Sequence, residues 1–97
     1  MRFEWDDAKN KINIQKHGID FQDAGDMFNA PLLEWEQKNA LYEYGEIRFN
    51  AIGLIGNCEV FAVYTERQNS TVIRFISVRQ ANKYERENYY RHTNRLG

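Results

Sequence analysis

The chain is organised around the stretch Cys58–Arg79, CEVFAVYTERQNSTVIRFISVR. Two apolar runs rich in β-branched and aromatic residues flank the polar residues Gln68-Asn69-Ser70, a pattern that predicts a β-hairpin with a three-residue loop. In this register Arg67 pairs with Thr71, and each strand alternates its side chains between the two faces of the sheet. Because both faces carry apolar residues, the hairpin is expected in the middle of a sheet that is covered on both sides.

The register assigns the charged side chains of the hairpin to faces. Arg74 falls opposite Tyr64, where its aliphatic stem is expected to pack beneath an ion pair. The other face is expected to carry Phe61, Val63, Thr65, Arg67, Thr71, Ile73, Phe75, Ser77 and Arg79.

The rest of the chain supplies further strands and three helices. The predicted order is a strand at Arg2–Trp5, a helix capped by Asp6 or Asp7 and ended by Gly18, a helix from Asp20 stopped by Asn29-Ala30-Pro31, a strand at Leu32–Glu36, a polar connection at Lys38–Gly45, a strand at Glu46–Ile55, the central hairpin, and a helix from Gln80 to about Asn94. Trp5, Ala8 and Ile12 form the expected apolar stripe of the first helix. This pattern predicts one α+β domain over residues 1–97, with a mostly antiparallel four- to five-stranded sheet, two N-terminal helices and one C-terminal helix.

Composition narrows the classes of function. The chain has 97 residues, a net charge of -1, one cysteine and one proline. The single cysteine, Cys58, excludes an internal disulfide or a multi-cysteine metal site, and no apolar run reaches transmembrane length, so a cytoplasmic protein without a membrane association is expected. From Arg67 onward seven basic residues face two acidic ones. That basic end is either a solvated face or a surface for a polyanion or an acidic partner.

A two-residue turn at Gly56-Asn57 fixes the register of the preceding strand against the hairpin. It places Glu46 opposite Arg67, and Arg48 opposite Thr65. A carboxylate beside two guanidinium groups is either a structural ion-pair cluster or a phosphate site with a proton acceptor, and the residue types leave both interpretations open.

Other candidate residues lie outside this cluster. Arg79 is expected about 20 Å along the strand from Arg67 and joins it only if a bulge intervenes. Lys16 and His17 end the first predicted helix, where the helix dipole favours cations, and a histidine there is a helix cap or a proton-transfer group. The sequence has no zinc-ligand spacing, glycine-rich phosphate loop or patterned Ser–His–Asp set, so neither a metal nor a cofactor is expected.

Four stretches together resemble the BrnT family of toxins: FEWDDAKNKINIQKHGIDFQDA (3–24), GEIR (45–48), VYTER (63–67) and IRFISVRQANKYERENY (73–89). They occur in the family's order and cover nearly the whole chain. The resemblance implies a RelE-like α+β fold and a ribonuclease activity that arrests translation. It also implies neutralisation by a BrnA antitoxin, a ribbon-helix-helix protein through which the complex binds and represses its own operator DNA.

The resemblance also implies site residues. The family's basic and polar motif positions fall on Lys16, His17, Glu46, Arg48, Arg67 and Arg79. Two departures are visible. Gln80 stands where the family usually has a lysine, which removes one possible phosphate contact, and Asn29-Ala30-Pro31 replaces the commoner Asp-Pro stop.

The favoured interpretation is therefore a metal-independent endoribonuclease in which the ribose 2′-OH attacks the adjacent phosphate. Arginines would stabilise the developing charge, and Glu46, Lys16 or His17 would move the proton. The alternative is a non-catalytic nucleic-acid- or protein-binding module that uses the basic C-terminal half. The basic side of the last helix is a candidate antitoxin contact, formed by Lys83, Arg86, Arg91 and Arg95.

Overall fold

The computed structural model describes residues 1–93, which form five strands and four α-helices. In chain order they are β1 (Arg2–Glu4), α1 (Asp7–His17), α2 (Phe21–Ala24), β2 (Leu33–Glu36), α3 (Ala40–Tyr44), β3 (Phe49–Ile55), β4 (Cys58–Arg67), β5 (Val72–Gln80) and α4 (Lys83–Thr93). A short 3₁₀ helix at Gly25–Asn29 follows α2. The predicted positions Asn94 and Arg95 lie outside the described residues.

The five strands form one sheet in the order β1-β5-β4-β3-β2. The last four strands are an antiparallel meander, whereas β1 lies parallel to β5, with Arg2 opposite Val72 and Glu4 opposite Arg74. The predicted α+β fold is confirmed, and the sheet is mixed because its first strand joins the far edge of the meander. The Gly56-Asn57 turn is also confirmed, since Ile55 pairs with Cys58.

Three predicted boundaries are wrong. The polar connection at Lys38–Gly45 contains α3, a single helical turn between left-handed residues Asn39 (φ 65°) and Gly45 (φ 72°), which is too short to show helical periodicity. The third strand begins at Phe49 rather than at Glu46. Gln80 completes β5, so the last helix begins later, at Lys83.

The predicted register of the central hairpin is wrong by one residue at the loop. Arg67 pairs with Val72 instead of Thr71, which leaves a four-residue loop. Thr71 closes this loop by donating from its backbone N–H and its hydroxyl to the Gln68 carbonyl, at 3.2 and 2.8 Å. Gln68, Asn69 and Ser70 are all left-handed, with φ between 52° and 67°. A polar tripeptide carries no sequence signal that predicts three left-handed residues in a row.

A β-bulge in β5 shifts the register a second time. Tyr64 pairs with Phe75 but Val63 pairs with Ser77, so Ile76 is an extra residue in β5. Arg74 lies between the loop and this bulge, so the loop register alone places it opposite Thr65, not opposite Tyr64 as predicted.

The observed pairs redefine the two faces of the sheet. The face that we call the core face carries Val60, Ala62, Tyr64, Ile73, Phe75 and Val78, all buried. The face that we call the open face carries Phe61, Val63, Thr65, Arg67, Val72, Arg74, Ser77 and Arg79. The predicted grouping of Ile73 and Phe75 with Arg67 is therefore wrong.

The two faces are covered unequally. Phe21, Ala24 and Met27, from α2 and the 3₁₀ helix, bury the core face. On the open face α4 covers only the end near Cys58, where Tyr89 packs with Ile52 and Ala81. The expected cover on both sides is thus confirmed for one face and for part of the other. No helix within residues 1–93 is long and apolar enough to cross a membrane.

Helix α1 is fixed to the sheet by a polar side chain. Its predicted caps are confirmed, because Asp6 accepts from two backbone N–H groups and Gly18 is left-handed. Its predicted apolar stripe is confirmed only for Trp5, which packs against the core. Ala8 and Ile12 are exposed, and the buried residue of the helix is Asn13, at 4% exposure.

Asn13 occupies the edge of β5 where β1 has ended. Its amide nitrogen donates to the Val78 carbonyl at 2.8 Å and to the Ile19 carbonyl at 2.9 Å, while the Val78 N–H donates to its Oδ1 at 3.0 Å. The side-chain amide therefore satisfies the backbone groups that a longer β1 would have paired.

Replacing Asn13 by alanine is expected to destabilise the protein by about 2–4 kcal/mol, because it leaves buried backbone groups of Val78 without partners. Urea unfolding monitored by circular dichroism measures the loss. Gln15→Ala, at an exposed position of the same helix, is the control and should change stability by less than about 0.5 kcal/mol. Equal effects of the two substitutions would contradict this role of Asn13.

Candidate functional site

Glu46, Arg48 and Arg67 meet at the uncovered end of the open face, as the strand register predicts. β3 pairs with β4 as far as Phe49 and Tyr64, and just before β3 the Arg48 carbonyl accepts from the Gln37 N–H at 2.7 Å, which holds this segment beside the end of β2. Glu46 then lies between the two arginines, with Oε2 3.3 Å from Arg48 Nε and Oε1 3.9 Å from Arg67 Nη2.

A second carboxylate and a third arginine complete the group. Glu4 of β1 places Oε1 3.7 Å from Arg67 Nε and 3.7 Å from Arg74 Nη1. We call Glu4, Glu46, Arg48, Arg67 and Arg74 the arginine cluster. Sequence reasoning missed Glu4 and Arg74, because their placement requires both the parallel pairing of β1 and the true register of β5.

The arginine cluster carries three guanidinium groups against two carboxylates, a net charge of +1. Arg67 stands at its centre and its side chain is 49% exposed. Its contacts of 3.7 and 3.9 Å to the carboxylates exceed hydrogen-bond length. Within residues 1–93 the Arg67 side chain makes no hydrogen bond, so its guanidinium N–H donors can be offered to an anion.

Arg48 is held more firmly than Arg67. Its guanidinium carbon lies 3.7 Å from the centre of the Tyr44 ring, and its side chain is only 17% exposed. Stacking on an aromatic face and hydrogen bonding to Glu46 together restrict its orientation. Helix α3, which supplies Tyr44, is therefore part of the site, although the prediction for this segment was a polar connection without a helix.

Arg79 is separate from the cluster. It lies opposite Phe61, six positions along β4 from Arg67, or roughly 20 Å. Both of its terminal nitrogens bond to Glu85, each at 2.8 Å, and its guanidinium carbon is 4.4 Å from the centre of the Phe61 ring. Hydrogen bonding to Glu85 raises the pKa of Arg79, and the bond from Arg79 lowers the pKa of Glu85.

The carboxylate of Glu85 also caps the N-terminus of α4. Glu85 accepts from the Asn82 N–H at 2.9 Å, and its own N–H donates to the Asn82 side chain at 2.8 Å, which is the reciprocal pattern of a capping box. Arg79 is thus joined to the helix that covers part of the open face.

Lys16 and His17 are also distant from the cluster. They are exposed at the end of α1, and the next residues, Gly18 and Ile19, line a cavity of about 140 Å³ together with Cys58. That cavity lies at the start of β4, whereas Arg67 is the last residue of β4. The six predicted site residues therefore divide into one assembled group of three and three residues elsewhere.

A groove of about 540 Å³ adjoins the arginine cluster and shares Glu46 and Arg67 with it. Its remaining lining comprises Leu41, Ile47, Phe49, Thr65, Glu66 and Ser70. The Thr65 hydroxyl oxygen is buried and has no hydrogen-bond partner among the described residues. A buried polar group without a partner costs roughly 1–3 kcal/mol of folding free energy, so its presence beside the groove makes the groove a candidate functional site.

The described part of the chain contains no group of three or more His, Cys, Asp or Glu side chains arranged to hold a metal ion. The chemistry that the cluster offers is recognition and charge stabilisation of an oxyanion by guanidinium groups, with carboxylates beside them as proton acceptors.

Comparisons with known proteins point to one family. The family profile described as "Ribonuclease toxin, BrnT, of type II toxin-antitoxin system" matches residues 5–85. The crystal structure of the Brucella abortus ribonuclease toxin BrnT is similar, with a TM-score of 0.68 and 27% sequence identity, and the match covers 86% of this chain and 99% of that one. A comparison with curated proteins finds no match.

The Arg79–Glu85 pair makes stability depend on pH. Because the pKa of Glu85 is lowered in the folded state, its contribution is present above the unfolded pKa of about 4.3 and is lost as the pH falls through the folded value. Glu85→Gln should therefore destabilise the protein at pH 7, and the difference from wild type should shrink below about pH 4. Urea unfolding at both pH values measures this, with Glu87→Gln on the same helix as control. A difference that is constant with pH would contradict the assignment.

Proposed function

The chain belongs to the family of BrnT ribonuclease toxins of type II toxin–antitoxin systems, and from this premise we propose that it is an endoribonuclease that cleaves RNA in the cytoplasm without a metal ion and arrests translation. The observation that carries the proposal is the Arg67 side chain at the centre of the arginine cluster, half exposed and without a hydrogen bond to any residue that the structure describes. We further infer that the meander with its flanking helices is a RelE-type fold.

The reaction that suits this cluster is transesterification within the RNA strand. The ribose 2′-oxygen attacks the adjacent phosphorus, the bond to the 5′-oxygen breaks, and the products are a 2′,3′-cyclic phosphate and a 5′-hydroxyl end. The 2′-hydroxyl proton passes to a carboxylate, and the departing 5′-oxygen takes up one proton from water.

Arg67 has the main electrostatic part in this proposal. Two guanidinium N–H groups match two phosphate oxygens, and charge that develops on them in the transition state strengthens the interaction. Arg48, already oriented by Tyr44 and Glu46, supplies a second positive charge without further ordering.

We assign proton transfer to Glu46. It is the carboxylate that lies between Arg48 and Arg67, so a phosphate bound by these arginines would bring the 2′-hydroxyl close to it. Lys16, His17 and Arg79 are at the other end of the sheet, and the proposal gives them no step. The pairing of Arg79 with Glu85 favours a structural role, which is to hold α4.

We also propose a BrnA-like ribbon-helix-helix antitoxin as the partner, with operator DNA bound through the antitoxin. Helix α4 offers a surface for it, because Lys83, Tyr84 and Arg91 are exposed on the described part of that helix. An aromatic anchor with cations around it suits a partner segment that is both apolar and acidic. Arg86 is less available, since it donates to the Ala81 carbonyl.

Cleavage should not require a divalent cation. The purified protein, freed of antitoxin, is expected to cut RNA equally well in excess EDTA and in Mg²⁺, because arginines supply the charge that a metal would otherwise supply. Gel analysis of labelled RNA measures the rate, and phosphatase-resistant 3′ ends identify the cyclic product. Activity that disappears in EDTA and returns with Mg²⁺ would exclude this mechanism.

Arg67→Ala should reduce the cleavage rate by at least about 100-fold, the usual effect of removing one transition-state donor. RNA affinity, measured by fluorescence anisotropy, should change by less than about tenfold, since one phosphate contact is a small part of binding. Arg91→Ala removes the same charge from exposed α4 and should leave cleavage unchanged. If both variants weaken binding equally and neither affects a cleavage step, the protein is a binding module that acts through its total charge.

A further inference from the structure

We propose that the groove beside the arginine cluster binds one nucleobase of the substrate RNA and selects a base with an exocyclic amino group over uracil. The proposal deepens the ribonuclease function and rests on it. It assigns a specificity role to Ile47 and Glu66, which take no part in the proposed chemistry.

Continuity with the cluster identifies the occupant. Glu46 and Arg67 line the groove and also belong to the arginine cluster. Glu66 precedes Arg67 in β4 and therefore points to the core face, so a phosphate held by Arg67 would bring the base of an adjoining nucleotide around the end of the sheet to the mouth of the groove. Its volume of about 540 Å³ lies within the range of ordinary ligand pockets and leaves room for a single base.

The walls of the groove suit the flat faces of a base. Leu41 of α3 and Ile47 are both exposed, Ile47 at 45%, although each is a large apolar side chain. Together with Phe49 they line the groove beside a charged cluster. Apolar and aromatic side chains next to a phosphate-binding group are the usual means by which proteins hold single-stranded RNA.

The polar lining predicts which base is preferred. Glu66 is the lining residue on the core-face side whose carboxylate, when ionised, only accepts hydrogen bonds. Adenine, cytosine and guanine carry an exocyclic amino group that can donate to this carboxylate, as cytosine N4 does to Glu in nucleic-acid complexes. Uracil presents two carbonyl oxygens and a single N–H, so a carboxylate repels more of its edge than it attracts.

Two further observations at the groove point to a ligand. Thr65 is one of the lining residues, and its side chain, on the open face, has a buried hydroxyl oxygen that has no partner among the described residues. Ser70 lines it from a loop in which it and the two residues before it are left-handed. Unpaired buried groups and backbone strain of this kind concentrate where proteins bind ligands.

The first test uses short RNAs with one cleavable 2′-hydroxyl, in which the nucleotide on either side of the cut is varied. Wild type should show a kcat/KM about tenfold higher for A, C or G than for U at one of these positions. Ile47→Ser should lower kcat/KM for the preferred substrates by about tenfold, while Glu66→Gln should reduce the discrimination against U. Ile12→Ser, at an isoleucine of similar exposure (50%) on α1, is the matched control and should change neither quantity.

Binding of free nucleotides separates this proposal from the ribonuclease function. In NMR titrations, 3′-AMP should shift the amide signals of Leu41, Ile47 and Ser70 more strongly than 3′-UMP does. If this occurs while RNA is not cleaved, the groove assignment holds and the catalytic proposal fails. If RNA is cleaved but Ile47→Ser and Glu66→Gln leave rate and base preference unchanged in folded protein, the groove assignment is overturned. It is equally overturned if neither nucleotide shifts these signals.

Discussion

The extra residue at Ile76 determines how the side chains at the two ends of β5 are divided between the faces of the sheet. Side chains alternate along a strand, so Arg74 and Arg79, five positions apart, would otherwise point to opposite faces. The bulge allows Phe75 and Val78 both to enter the core and both arginines to reach the open face. One arginine then meets Glu4 of β1, and the other holds α4 through Glu85. The insertion therefore places the end with the arginine cluster and the end covered by α4 on the same face of the sheet.

Much of the architecture could be predicted from sequence because its signals are local. The Asp6 and Gly18 caps and the Gly56-Asn57 turn are chemical requirements of short segments, and the structure confirms them. Parallel pairing of β1 with β5 and the bulge have no such local signature. The packing of helix α1 could not be predicted locally either. Its buried residue is the polar Asn13, whose partner Val78 is distant in the chain.

The part of the site that could be predicted is the part whose position follows from the Gly56-Asn57 turn. The register from Gly56-Asn57 holds back to Phe49, and just before that residue Glu46 contacts both Arg48 and Arg67, as predicted. Glu4 and Arg74 were missed because they approach from the strand on the other side, where the register shifts twice. Resemblance to a family supplied Lys16, His17 and Arg79 as motif positions, but a motif does not say which of its members share a location.

The pairing of β1 with β5 has a consequence for the moment at which the protein becomes active. It joins residue 2 to residue 72, and Glu4 to Arg74, so the first strand leaves the ribosome long before its partner exists. Contacts between such distant parts of a chain form late and slow the folding of small domains. A nascent chain would therefore lack an assembled arginine cluster until synthesis is almost complete. For a ribonuclease toxin of a type II toxin–antitoxin system, this delay separates its own synthesis from its activity and gives an antitoxin time to bind.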